Sequence, residues 1–257
     1  MGKATDLIAV FDSGIGGISV LRELVRQMPG ERFLYFGDSL NAPYGNRSTQ
    51  QVRELTLDAA RRLYDRGLKA LVIACNTATS AAITELRQAY PDLIVVGIEP
   101  ALKLAADRFP QGNVGIIATQ VTLREEKLHQ QLERFADMQV SLIPAPGLVE
   151  LIESGKADAP ETKQLLQTLL APYVGKLDAL VLGCTHYPFV RNSIGQIIGP
   201  GTTLLDGSDG TARHTRHLLE EAGLLENGNG SIQMENSLQD PKILELAVEL
   251  FEKQEDR

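Results

Sequence analysis

The chain of 257 residues holds two cysteines, Cys75 and Cys184, and each sits within a nearly identical phrase: ALVIACNTA over residues 70–78 and ALVLGCTHY over residues 179–187. Each phrase reads Ala-Leu-Val, an aliphatic residue, a small residue, then cysteine and a polar pair. A thiol, with an unperturbed pKa of about 8.5, is poised between proton donor and acceptor at neutral pH. One thiolate and one thiol on opposite faces of a planar carbanion would do a specific job. The thiolate removes a proton from a stereocentre, and the thiol returns one to the other face. The product is inverted and the two cysteines have exchanged protonation states, so symmetric chemistry explains a symmetric sequence. The α-C–H of an amino acid is very weakly acidic, and without a cofactor the carbanion must be stabilised by preorganised donors around the substrate carboxylate. Groups of that kind sit near the ends of the strand-like runs: Ser13 and Gly14 after VFD, Tyr44 and Gly45 in APYG, Asn76 and Thr77 after Cys75, Thr185 and His186 after Cys184.

A lone buried cysteine is more often an inert small hydrophobe than a catalyst. Two in matched phrases, each followed by polar residues, favour reactive thiols. Two cysteines fall short of a four-ligand zinc site, and neither has the C-x-x-C spacing of a redox or metal motif, which leaves free buried thiols or reactive ones. DSGIGG, Asp12 to Gly17, places Ser19 at the sixth position of a G-x-G-x-x-G beginning at Gly14, and no Walker lysine follows; its glycines read as a strand-to-helix anion-binding turn rather than a nucleotide loop. His186, two residues after Cys184, reads as its proton partner. His214 and His217, three apart in RHTRH, belong to a solvated helical face, and His129 in a charged helix carries no role.

The elements that must position these residues alternate along the chain. LIAVFD, RFLYFGD, ALVIAC, LIVVGIE, NVGIIAT, VSLIPA, ALVLGC and TTLLDG read as strands, continuous in Val, Ile and Leu as expected for strands covered on both faces. Amphipathic stretches lie between them, among them STQQVRELTLDAARRLYDRG, with a Ser48 cap and a Gly67 stop, and QVTLREEKLHQQLERFAD. This alternation predicts an α/β fold with largely parallel sheets. Residues 224–241 form the most loop-like region, before a last helix over KILELAVELFEK. The two cysteines lie 109 residues apart, about one small α/β unit. That spacing predicts two similar halves, each offering a thiol at the carboxyl end of a strand, where open α/β sheets bind ligands. Facing each other, such halves would place the thiols on either side of one cleft.

Composition excludes several classes. At 43% hydrophobic and 23% charged the chain has ordinary globular proportions. No apolar run approaches the roughly 20 residues of a membrane span, and the N-terminal segment lacks a signal peptide's pattern, so a cytoplasmic protein with no membrane partner is expected. The formal net charge of −8, with no basic cluster, argues against a nucleic-acid partner. In a reducing compartment the two cysteines are not expected to pair as a disulfide.

FDSGIGG, PYG, ACNTA and GCTHYP, in this order and at this spacing, closely resemble the bacterial glutamate racemases of the aspartate/glutamate racemase superfamily, over essentially the whole chain. The resemblance implies a cofactor- and metal-independent two-base enzyme interconverting L- and D-glutamate and supplying D-glutamate for peptidoglycan, hence for cell wall biogenesis and cell shape. It implies two pseudo-symmetric α/β domains with the active site in the cleft between them: residues 1–97 plus 207–257 carrying Cys75, and residues 98–206 carrying Cys184. By the same resemblance Cys75 acts on D-glutamate assisted by Asp12, and Cys184 on L-glutamate assisted by His186. Asp12, Ser13, Tyr44, Gly45, Asn76, Thr77, Thr185 and His186 would hold the substrate. An acidic residue of LVELIESG completes the set, Glu153 favoured over Glu150; where the family usually shows a cysteine two residues before the position of Gly147, this chain has Ala145. A homodimer is implied, and with Asp12 eleven residues after Met1 no extension tied to activation by a peptidoglycan precursor is expected.

Four other readings stand beside this one. A related racemase acting on aspartate or another amino acid presents the same α-amino acid head, and the two-cysteine core does not separate it. A decarboxylase on this scaffold would need only one cysteine. A two-domain binding protein for a small molecule would have no use for paired thiols. A second, non-enzymatic interaction role is neither supported nor excluded by these residues.

Overall fold

The computed structural model describes residue 3, residues 5–98 and residues 101–253. Nine strands follow one another among these residues: β1 Leu7–Asp12, β2 Arg32–Gly37, β3 Leu68–Ile73, β4 Ile94–Gly97, β5 Asn113–Ala118, β6 Gln139–Pro144, β7 Ala179–Leu182, β8 Thr203–Asp206 and β9 Ser231–Asn236. They form two all-parallel sheets, ordered β4-β3-β1-β2-β9 and β6-β5-β7-β8. The chain divides accordingly into two compact units, one ending at Ile98 and resuming over Ser208–Lys253, the other ending at Gly207. Glu99, the last residue of the run LIVVGIE, and residues 254–257 lie outside the described residues.

The two sheets share one pattern. With strands ranked by their order within each unit, fourth-third-first-second describes β4-β3-β1-β2 and equally β8-β7-β5-β6. Registers match as well. Phe11 of β1 pairs with Ile73 of β3, and Ile117 of β5 pairs with Leu182 of β7. Cys75 and Cys184 each follow that third strand by two residues.

The third strands are buried along their whole length, as their continuous apolar sequences require. Lys69 is the exception by type. Its ammonium lies 2.5 Å from Glu31 Oε2 and donates to the Leu224 carbonyl at 2.9 Å, both side chains being fully buried. Glu31 Oε1 accepts from the Glu226 amide at 2.8 Å, so the pair fastens the returning C-terminal segment to the first unit. Thr49–Tyr64 is the expected helix, opened by a reciprocal capping box between Ser48 and Gln51.

Two sequence expectations need correction. The loop-like region 224–241 contains β9, an edge strand paired with β2 alone. Half of its residues SIQMEN are exposed and four are polar, so it lacks the apolar run by which the other strands are recognised. The stretch QVTLREEKLHQQLERFAD is two helices, Gln120–Arg124 and Glu126–Arg134, because Glu125 adopts an extended conformation (ψ 132°) between them.

Candidate active site

In the first unit, Cys75 is the N-cap of the helix Asn76–Ala89. The residue turns from β3 into the helix with an extended backbone, and its sulfur takes the place of a capping oxygen, accepting from the Ala78 amide at 3.4 Å. Negative charge on sulfur is favoured there, at the positive end of the helix dipole. Ser13 Oγ lies 3.6 Å from Cys75 Sγ. Both residues are buried, as are Asp12, Asn76 and Thr77. Asp12 ends β1 and accepts from the Gly14 amide at 3.0 Å. A Cβ at Gly17 would stand 2.6 Å from Asp12 Cβ, so a side chain there would push the carboxylate out of place. Asn76 and Thr77 occupy the first turn of the cysteine-capped helix.

Tyr44 and Gly45 lie in the short 3₁₀ turn Tyr44–Asn46, and Tyr44 packs in the same apolar cluster as Cys75. Its hydroxyl donates to Asp38 Oδ2 at 2.7 Å, and the Asn41 amide donates to both oxygens of that carboxylate at 3.0–3.1 Å. Burial, then the Asp38 charge, raises the Tyr44 phenol far above its ordinary value, with smaller contributions from Cys75 and Asp12. Tyr44 is therefore a neutral donor. Asp38 was not singled out from sequence, although it closes the strand phrase RFLYFGD as Asp12 closes LIAVFD.

In the second unit, Cys184 Sγ lies 3.6 Å from His186 Nδ1, and His186 Nε2 lies 2.5 Å from Glu153 Oε1. Thiol, imidazole and carboxylate thus stand in a chain. Glu153 is the last residue of the helix Leu148–Glu153, which Gly147 opens in the left-handed conformation at φ 83°. Burial alone would push the His186 imidazole down. The contacts with Cys184 and Glu153 outweigh it and hold the group well above its usual 6.5. Thr185 is buried beside it. Unlike Cys75, Cys184 caps no α-helix: its carbonyl accepts from the Tyr187 amide, a 3₁₀ turn over Tyr187–Val190 follows, and the helix Arg191–Ile198 begins only after that. Ala145, at the position where a cysteine was expected, is buried in the apolar cluster that holds Cys184.

Two buried polar atoms next to the cysteines have no hydrogen-bond partner among the described residues: Asn76 Oδ1 and the Tyr187 hydroxyl. Buried polar groups are ordinarily paired, so such atoms are candidates for meeting a substrate. Tyr187 was not chosen from sequence; its place three residues after Cys184 in GCTHYP was the available signal. Burial, then the Cys184 charge, raises its phenol well above the usual 10. Among the described residues no three His, Cys, Asp or Glu side chains gather as a metal site, and no helix is long and apolar enough to cross a membrane.

A sequence model of the Asp/Glu/Hydantoin racemase family matches residues 10–215. A glutamate racemase from Clostridium perfringens is 44% identical over 249 residues, covering 95% of this chain and 96% of that protein. Among solved structures, a glutamate racemase isoform from Bacillus anthracis superposes with a TM-score of 0.88 at 29% identity, covering 97% of this chain and 95% of its own. The Thermus thermophilus glutamate racemase, in complex with β-chloro-D-alanine, superposes with a TM-score of 0.83 at 38% identity, covering 98% and 96%. With two sheets of one strand order, each carrying a cysteine beyond its third strand, and a family match over most of its length, the chain belongs to the Asp/Glu/Hydantoin racemase family.

Proposed function

We propose that this chain is a glutamate racemase that interconverts L- and D-glutamate by two-base proton transfer without a cofactor. The observation that carries the reading is the repeated placement of a buried thiol two residues beyond the third strand of each sheet, with a different proton-handling partner beside each. Cys75 takes the α-proton of D-glutamate and Cys184 that of L-glutamate, each thiol protonating the carbanion that the other generates. Asp12 and Ser13 serve Cys75. His186, held by Glu153, passes protons to and from Cys184. Tyr44, Gly45, Asn76, Thr77 and Thr185 hold the substrate's carboxylates and ammonium, with Asn76 Oδ1 as an acceptor for the ammonium.

The D-glutamate formed feeds peptidoglycan, and the enzyme works in the cytoplasm as a homodimer. Light scattering on the purified protein tests the assembly. The reaction is tested by incubating the protein with L-glutamate in D2O, with chelator and no added cofactor, following circular dichroism and α-deuterium in each enantiomer. Loss of optical activity with deuterium entering first the D-product supports the reading. Turnover of aspartate but not glutamate would move the substrate and keep the mechanism, and silence with both would overturn it.

A further inference from the structure

The first unit contains a cavity of about 610 Å³ away from the Cys75 thiol, bounded by the ends of β2 and β9 and by the helices Thr49–Tyr64 and Pro241–Glu252. That volume lies within the range of about 300–1,000 Å³ typical of small-molecule sites. Its walls are apolar at Phe36, Leu55, Met234 and Leu244. Its charged groups are mostly paired with each other: Arg62 with Asp58 at 2.5 Å, and Arg66 with Glu235 at 3.2 Å.

Asp38 differs from these. It lines the cavity, it is 5% exposed, and its hydrogen bonds come from the neutral donors Tyr44 and Asn41. Among the described residues no Lys, Arg or His forms an ion pair with it. A buried carboxylate without a cation is costly, and a cavity beside it gives a cation access. The same carboxylate receives the Tyr44 hydroxyl, and its backbone amide donates to the Asp12 carbonyl at 2.9 Å. One wall is therefore common to the cavity and the surroundings of Cys75.

We propose that this cavity is a regulatory site for a small organic cation with an apolar body, an amine or a guanidine, whose charge pairs with Asp38 and whose occupancy loosens Tyr44. The site goes beyond the racemase reading, and only its effect on rate rests on that reading. The apolar body lies against Phe36, Leu55, Met234 and Leu244. The cation draws Asp38 away from Tyr44, which loses the acceptor that fixes its hydroxyl.

The test uses the full chain and 2-phenylethylamine, with 2-phenylethanol as its neutral match. Binding is measured by calorimetry in the absence of glutamate. The amine is expected to bind saturably and the alcohol about tenfold more weakly or worse, since a hydrogen bond to a charged group is worth about 1.5–3 kcal/mol. Leu244→Trp, which fills the cavity, should abolish amine binding and leave the uninhibited initial rate at the wild-type value. Asp38→Asn should remove the preference for the amine over the alcohol. This second variant decides the question if Leu244→Trp does not fold. Saturating amine should slow glutamate turnover in the wild type and not in Leu244→Trp. No binding, equal binding of amine and alcohol, binding that survives Leu244→Trp, or an unchanged rate at saturation would each overturn the proposal. A chain that binds the amine as described but never turns over glutamate would keep the site and overturn the racemase reading instead.

Discussion

Asp12 and Ala118 hold matching positions, each the last residue of the first strand in its sheet. The matching rests on hydrogen bonds. The Phe11 carbonyl accepts from the Ala74 amide and the Ile117 carbonyl from the Gly183 amide, both at 2.8 Å. The Asp12 carbonyl accepts from Asp38 and the Ala118 carbonyl from Ala145, at 2.9 and 3.2 Å. The backbone frame is thus repeated and the charged side chains are not: Asp12 and Asp38 in one unit answer to two alanines in the other. The second unit finds its acid elsewhere, at Glu153, and connects it to the thiol through His186. Equivalent thiols therefore work in different electrostatic surroundings.

That asymmetry should be visible in directional rates. His186→Asn is expected to slow turnover starting from L-glutamate more than from D-glutamate, and Asp12→Asn the reverse. The equilibrium constant between enantiomers is one, so the ratio of kcat/KM values is fixed. The comparison therefore needs kcat and KM separately, with α-hydrogen exchange in each direction. Equal effects on both directions in both variants would remove the assigned pairings.

Cys75→Ala and Cys184→Ala should each lower racemisation by about 10²–10⁴-fold or more, the range for loss of a positioned acid or base. Thermal unfolding should stay close to wild type, since each change removes only one sulfur from a buried site. Single-turnover circular dichroism checks the first statement and a melting curve the second. Substantial turnover in either variant refutes the two-base mechanism.

His186 gives a pH signature. Its folded-state value is raised above the ordinary 6.5, so its pairing contributes fully to stability below about pH 6.5 and is lost as pH rises through the raised value. Glu153→Gln removes one of the charges that hold it up. The loss of stability should then be smaller and complete at lower pH, and the alkaline limb of the rate starting from L-glutamate should move to lower pH. Melting temperature and kcat measured across pH in both proteins check this. Coincident profiles would show that Glu153 does not set the titration.

Lys69→Met should destabilise the first unit by about 3–5 kcal/mol, because Glu31 is left buried without its cation. The double change Lys69→Met with Glu31→Leu should recover much of that loss. Urea unfolding of the single and double variants measures both. A single variant as stable as wild type would show that the pair is solvated in solution.

Much of this was legible in the sequence because parallel strands covered on both faces must be continuous apolar runs, as β1, β3, β5 and β7 are. The ninth, β9, is an edge strand with one neighbour, and exposure frees it from that requirement. The turn chemistry was local and therefore readable, as Ser48 with Gln51 shows. The thiols could be found because the chain repeats the phrase that carries them.

Contacts between residues distant in the chain depended on the folded structure. The resemblance favoured Glu153 over Glu150, but the sequence does not contain the distance of 2.5 Å across 33 residues that joins Glu153 to His186. The burial of Lys69 against Glu31 and the role of Asp38 beneath Tyr44 were equally invisible. The chain by itself determined the strands other than β9, the parallel α/β class and the two cysteines, because periodicity and repetition are properties of neighbouring residues. Tertiary structure alone decided which acid meets which base, because that depends on how strand ends and turns far apart in sequence converge, and burial then sets the charge each group carries.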